Sequence, residues 1–146
     1  MADVVDKATR SRMMSGIRAK DTRPEVLVRK ELHRRGFRFR LHAKKLPGSP
    51  DIVLPKWKTV IFVHGCYWHR HSGCKLAYPV KSNEEFWNAK FKANTGRDSK
   101  AYAALKEASW RVIVVWECAT RSMSQADLGH AISTALKASE PYVEIP

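Results

Sequence analysis

The chain has 146 residues, 44% of them hydrophobic, and this length and composition fit one globular domain with one core. Its 27 lysines and arginines outnumber 14 acidic residues and give a net charge of +13, which favours a polyanionic partner, nucleic acid above all. No apolar run is long enough to cross a bilayer, and no helix with a clean apolar face flanked by lysines indicates a membrane surface.

The first 20 residues are basic and poor in apolar anchors, with Met13 and Met14 in the middle. They predict a basic arm over 1–20, followed by a folded domain over 21–146. The arm is expected either to become ordered on a partner or to be a disordered terminus without one. The segment lacks the pattern of a signal peptide, so we expect a reducing, cytoplasmic setting.

A capping box, Thr22–Glu25, with a proline early in its first turn, predicts a helix that ends near Gly36. Val26, Leu27 and Leu32 are expected to form its inward side.

Three strands are predicted after this helix. Residues Phe37–Leu41 alternate between apolar and basic side chains, Asp51–Leu54 follows a proline-rich turn, and Val60–Val63 is apolar throughout. The connection between the last two is short, so they should be antiparallel neighbours. Asp51 and Val63 should then lie near the same end of the pair.

The second half of the chain predicts helix, strand and helix. Ser82–Glu85 is a second capping box and should begin a helix that reaches about Ala108, with Gly96 kinking or dividing it. A strand over Arg111–Glu117 and a last helix over 124–138 follow. The order indicates a single α/β domain, and no internal repeat or linker divides it.

The loop after Val63 contains residues that bind metals. Cys66, His71 and Cys74 provide three zinc ligands on a short segment, and Cys118, which follows another strand, can supply the fourth. The alternative is a set of unrelated buried thiols. His69 lies between the ligands and beside two aromatic residues, which makes it a candidate catalytic base; otherwise it is an inert loop residue.

These residues together resemble the very-short-patch mismatch repair endonucleases. The resemblance covers nearly the whole chain and rests on a capped helix bearing Glu25 together with four motifs. The motifs are Asp6–Ser11, Gly48–Asp51, Phe62–His69 and Trp116–Cys118. It implies a restriction-endonuclease-like fold, with a mixed sheet flanked by helices, a structural zinc site and the basic N-terminal arm.

The implied activity is a magnesium-dependent nick in one strand of duplex DNA beside the thymine of a T:G mismatch, the lesion left by deamination of 5-methylcytosine. The resemblance further implies a monomer that works at the nucleoid with other mismatch-repair proteins. Two alternatives stay open: a zinc-stabilised DNA-binding module without catalysis, and a related nicking enzyme with another structural trigger.

The resemblance also assigns roles to single residues. Asp51 and the backbone carbonyl of Val63 would bind magnesium, Glu25 and His64 would act through metal-bound water, and His69 would be the base. The structural zinc would be held by Cys66, His71, Cys74 and Cys118. Tyr67 and Trp68 would enter the base stack beside the mismatch, and Met14 would enter from the other side. Hard Mg²⁺ suits carboxylate and carbonyl oxygens, whereas zinc suits thiolates, so both ions fit in one small domain.

Overall fold

The apolar runs of the sequence form a mixed sheet in a computed structural model that describes residues 22–146. Its five strands are β1 (Arg40–Leu41), β2 (Ile52–Leu54), β3 (Thr59–His64), β4 (Arg111–Trp116) and β5 (Tyr142–Ile145). They lie in the order β1-β2-β3-β4-β5. The first three are antiparallel neighbours, whereas β3 pairs with β4, and β4 with β5, in parallel.

Four α-helices accompany the sheet in this part of the chain. They are α1 (Arg23–Arg34), α2 (Glu84–Glu107), α3 (Glu117–Ser122) and α4 (Gln125–Lys137), and a 3₁₀ turn, Pro55–Trp57, joins β2 to β3. None of these helices is long and apolar enough to span a membrane.

The two faces of the sheet carry separate cores because successive side chains of a strand point to opposite sides. Ile61 of β3 belongs to the core that the sheet shares with Leu32 of α1 and Ile132 of α4. The next residue, Phe62, belongs to the core on the other side, with Leu105 of α2. The domain is therefore a three-layer α/β structure, which confirms the predicted class.

The antiparallel pairing of β2 with β3 is also confirmed, with Ile52 opposite Ile61. Helix α1 begins as predicted, since the Thr22 hydroxyl accepts a hydrogen bond from the Glu25 amide at 3.4 Å. Its inward side was predicted wrongly in part. Val28 and Leu32 are its buried apolar residues, whereas Val26 and Leu27 are half-buried.

Three further local predictions were wrong, and two elements were missed. Helix α2 begins after Asn83, which has a left-handed backbone (φ 53°) and makes no capping bond, so Ser82–Glu85 is not a capping box. The helix then runs unbroken through Gly96. Strand β1 is shorter than predicted and both its residues are exposed. The prediction also missed α3 and the edge strand β5.

Candidate active site

The site is organised around the carboxyl end of β3. Asp51 directly precedes β2, and its Oδ2 atom accepts a hydrogen bond from the Val63 amide at 2.7 Å. The antiparallel pairing thus brings these two residues together, as the sequence predicted. His64 is the last residue of β3, and the chain then turns at Gly65 into the loop that carries His69.

Asp51 belongs to a cluster with Glu25 and His42, whose potential ligand atoms all lie within 4.8 Å of one another. Glu25 comes from the first turn of α1 and is 2% exposed. His42 follows β1, and its amide donates to the Asp51 carbonyl at 3.0 Å. Burial raises the pKa of Asp51 to about 6; Glu25 also raises it, and the Val63 amide opposes the shift. A cation here would favour the ionised carboxylate.

A second cluster combines His64, His69 and Asp98 within the same 4.8 Å limit. The His69 Nδ1 atom lies 2.6 Å from Asp98 Oδ2, and the two imidazoles stack with centroids 3.8 Å apart. His64 Nε2 shares a 2.6 Å hydrogen bond with the Tyr102 hydroxyl. Burial and the adjacent His69 lower the pKa of His64 to about 3, and Asp98 opposes the shift. His64 is therefore neutral at pH 7.

The two histidines differ in access to solvent. The His69 side chain is 28% exposed, whereas that of His64 is 6% exposed. Members of both clusters, Glu25, Asp51, His64, His69 and Asp98, line one cavity of about 550 Å³. The four residues predicted to be catalytic, Glu25, Asp51, His64 and His69, are thus brought together in one open pocket.

A third cluster contains the predicted zinc ligands Cys66, His71, Cys74 and Cys118, again with ligand atoms within 4.8 Å of one another. The His71 Nδ1 atom lies 3.6 Å from Cys66 Sγ and 3.5 Å from Cys118 Sγ. All three cysteines are free thiols. Cys118 reaches the loop from the first turn of α3, since this helix continues directly from β4, which runs parallel to β3.

Neighbouring groups hold the side chains of the cysteine cluster in place. The His71 ring stacks on Trp116 at 4.1 Å, and the Cys118 amide donates to Cys66 Sγ at 3.3 Å. Burial raises the pKa of the Cys66 and Cys118 thiols, while the Leu76 amide lowers the pKa of Cys74. Buried thiols favour the protonated form, so the cluster needs a cation before all three become thiolates.

The two aromatic residues predicted to enter DNA are half-buried on the loop between these clusters. Tyr67 packs edge-on against Trp68 at 5.1 Å and against Phe91 at 5.2 Å. Trp68 lines the 550 Å³ cavity and also a neighbouring cavity of about 700 Å³ that Tyr67 shares. The rings are therefore neither fully buried in the core nor detached from it. Met14 lies outside the residues that the structure describes.

Two members of the site were missed from the sequence. Asp98 lies on α2 in helical register with Phe91, Ala101 and Leu105, all of which are buried. That spacing could have identified Asp98 as a candidate site residue, because a carboxylate on the inward face of a helix needs a hydrogen-bonding or charged partner. His42 follows a two-residue strand, and the local sequence carries no comparable signal.

Comparison with known proteins places this pocket in an enzyme class. The family model of the DNA mismatch endonuclease Vsr matches residues 2–75. The type II nicking enzyme V.XorIIP of Xanthomonas oryzae is 49% identical over 118 residues, which cover 81% of this chain and 86% of that protein. The DNA mismatch endonuclease Vsr of Escherichia coli is 45% identical over 121 residues, covering 83% and 77%.

A third relative is the type II nicking enzyme V.NmeAIP of Neisseria meningitidis, 48% identical over 118 residues that cover 81% of this chain and 84% of that protein. The chain is therefore an endodeoxyribonuclease. It belongs to the family of the DNA mismatch endonuclease Vsr.

Proposed function

We propose that this endonuclease nicks one strand of duplex DNA beside the thymine of a T:G mismatch, in a magnesium-dependent reaction on a restriction-endonuclease-like fold. The observation that carries the proposal is the pocket that Asp51 and Glu25 line together with the His69–Asp98 pair. The name of the Escherichia coli relative, a DNA mismatch endonuclease, supports a mismatched substrate.

The residues around Asp51 fit a magnesium ion. The Val63 amide fixes one carboxylate oxygen of Asp51. Both backbone groups of a strand residue face the same neighbouring strand, so the Val63 carbonyl points to the side on which Asp51 lies. A carboxylate and a carbonyl are the oxygen ligands that Mg²⁺ prefers. When bound, the ion would neutralise charge on the phosphate and stabilise the departing oxygen.

His69 is proposed as the general base. A carboxylate only accepts hydrogen bonds, so His69 must donate through Nδ1 to Asp98, which leaves the lone pair on Nε2. Asp98 thereby fixes both the tautomer and the orientation of the ring. His64 suits this role less well because it is buried and its Nε2 is engaged with Tyr102.

The remaining groups would orient the reactants. Neutral His64 supports the His69 ring by stacking, and Glu25 places a buried carboxylate opposite Asp51, where it can hold a water molecule for attack. Holding the water and the phosphate in one geometry accelerates hydrolysis without a covalent step on the protein.

The cysteine cluster is proposed to hold a structural zinc ion. Zn–S and Zn–N bonds of about 2.3 and about 2.0 Å at the tetrahedral angle place a sulfur and a nitrogen ligand about 3.5 Å apart. The sulfur–nitrogen distances at His71 are 3.6 and 3.5 Å. Four ligands would leave no open position, so the ion would tie the loop to α3 and take no part in hydrolysis.

Duplex DNA would be recognised by charge and by intercalation. The net charge of +13 supplies phosphate attraction, to which the basic arm over 1–20 contributes next to the catalytic domain over 21–146. Tyr67 and Trp68 would open the stack at the mismatch, and Met14 of the arm would enter from the opposite side. We further propose a monomer that acts in the cytoplasm at the nucleoid, with mismatch-repair proteins as partners.

The test is a nicking assay on duplexes that differ in one base pair, T:G against T:A, with and without Mg²⁺. We expect magnesium-dependent nicking of the T:G duplex in one strand and little nicking of the T:A duplex. Asp51→Asn should abolish it, while Asp127→Asn, at an exposed aspartate on α4, should leave it unchanged. Equal nicking of both duplexes would show that the enzyme responds to a structural trigger other than the mismatch. Binding of DNA without nicking would show that the protein is a DNA-binding module without catalysis.

A further inference from the structure

An arginine pairs with one of the carboxylates that line the catalytic pocket. Arg29, one helical turn after Glu25 on α1, donates from Nη2 to Glu25 Oε2 at 3.0 Å. The same nitrogen lies 3.2 Å from His42 Nε2. The Arg29 side chain is 16% exposed and that of Glu25 is 3% exposed, so the contact is largely shielded from solvent.

The chemistry of this contact is directional. A guanidinium only donates hydrogen bonds, and a terminal nitrogen carries two hydrogens, so one nitrogen can serve both acceptors. His42 must then accept through Nε2. Glu25 and His42 also form the cluster with Asp51 in which the potential ligand atoms all lie within 4.8 Å of one another. The guanidinium thus engages one oxygen of Glu25 and Nε2 of His42, the two side chains that could join Asp51 in holding a divalent ion.

We propose that Arg29 is a positioning residue that acts as a resident cation, reserving Glu25 and His42 so that divalent metal binds through Asp51 alone among these three side chains. The inference rests on the proposed function of the pocket as a metal site. Arg29 therefore lowers the affinity of the site for a divalent ion, because its fixed positive charge repels the ion and its hydrogen bonds withhold two ligands from it. It also keeps Glu25 free of direct coordination, as its proposed role in holding water requires.

The experiment measures binding of Mn²⁺ alone to the zinc-loaded protein without DNA, by electron paramagnetic resonance. Arg29→Gln removes the charge, and we expect it to bind Mn²⁺ more tightly than the unmodified protein by about tenfold or more. Arg29→Lys retains the charge and should return affinity toward that of the unmodified protein. Adding His42→Gln to Arg29→Gln should remove part of the gain, because the freed imidazole is then lost as a ligand.

Arg34→Gln is the matched control. Arg34 lies on the same helix and pairs with another buried glutamate, Glu31, at 2.7 Å, but it does not line the catalytic pocket. We expect its Mn²⁺ affinity to be unchanged. If Arg29→Gln does not fold, Arg29→Met provides the same loss of charge in a side chain of similar length.

Unchanged or weaker Mn²⁺ binding by a folded, charge-removed Arg29 variant would overturn the proposal. So would an equal gain in Arg34→Gln, which would mean that only the net charge matters. Because the measurement needs neither DNA nor turnover, it is independent of the nicking assay. A protein that nicks normally while Arg29→Gln gains no affinity refutes only the role of Arg29.

Discussion

Replacing Asp51 with asparagine should remove activity and, at the same time, stabilise the magnesium-free protein. Burial and the nearby Glu25 raise the pKa of Asp51 from 3.8 to about 6, so the folded state holds the charged carboxylate less favourably than the unfolded chain does. At about 1.4 kcal/mol for each tenfold change in proton affinity, the ionised group costs the fold at most about 3 kcal/mol. Asparagine has nearly the same shape and can still accept from the Val63 amide.

The sign of the pH dependence follows from proton binding. Between pH 3.8 and about 6 the folded protein keeps a proton on Asp51 that the unfolded chain has lost, so this residue makes stability fall as pH rises through that window. Above it the cost is constant. The stabilisation by Asp51→Asn should therefore be small near pH 4 and reach its full value by about pH 7.

Thermal unfolding of both proteins from pH 4 to pH 8, without added magnesium, measures this difference. A gain of 3 kcal/mol corresponds to a rise in Tm of up to about 10 °C for a domain of this size. Magnesium should then raise the Tm of the unmodified protein but not that of Asp51→Asn, since ligands stabilise only the state that binds them. A difference between the two proteins that does not vary with pH would refute the reasoning.

Three further predictions concern zinc, the base and DNA. Cys74→Ser should lose about one zinc ion per chain by elemental analysis and lower the Tm; a zinc-free protein of unchanged Tm would contradict a structural ion. Asp98→Asn should lower kcat about 100-fold or more and alter the pH–rate profile because it no longer fixes the tautomer of His69, and an unchanged profile would move the base elsewhere. Trp68→Ala should lower the ratio of T:G to T:A nicking more than it lowers DNA affinity, whereas the control Trp110→Ala should leave that ratio unchanged. An unchanged ratio in Trp68→Ala would mean that other residues recognise the mismatch.

The sequence predicted the parts of the site that depend on local pattern. Asp51 and Val63 meet because β2 and β3 are short, apolar and closely connected, and this pairing could be derived from composition and turn length alone. The candidate zinc ligands of the loop, Cys66, His71 and Cys74, could be proposed from their spacing. Cys118 could be proposed as the fourth ligand because it is the only other cysteine and follows a strand-like run, and the structure shows that this strand, β4, runs parallel to β3.

The parts that were missed depend on packing between distant segments. Strand β5 has β-forming residues, Tyr142, Val143 and Ile145, but it is short, flanked by prolines, and defined by pairing with β4. Helix α3 follows Trp116 without a side-chain cap, so no start signal marks it. Such elements exist because the sheet and its neighbouring helices are already in place.

The geometry of the loop also links the two proposed metal sites. His69 lies between Cys66 and His71, and the His69 amide donates to the Gly65 carbonyl at 3.1 Å while the His71 amide donates to the Cys66 carbonyl at 3.0 Å. These bonds close a tight turn whose two ends carry proposed zinc ligands and whose middle carries the proposed base. Asp98 holds the His69 ring from α2, and Asn94 of the same helix donates to the Trp68 carbonyl at 3.2 Å. A zinc ion bound by Cys66 and His71 would position the base through its backbone, because it would anchor the turn at both ends and leave the imidazole able to exchange a proton.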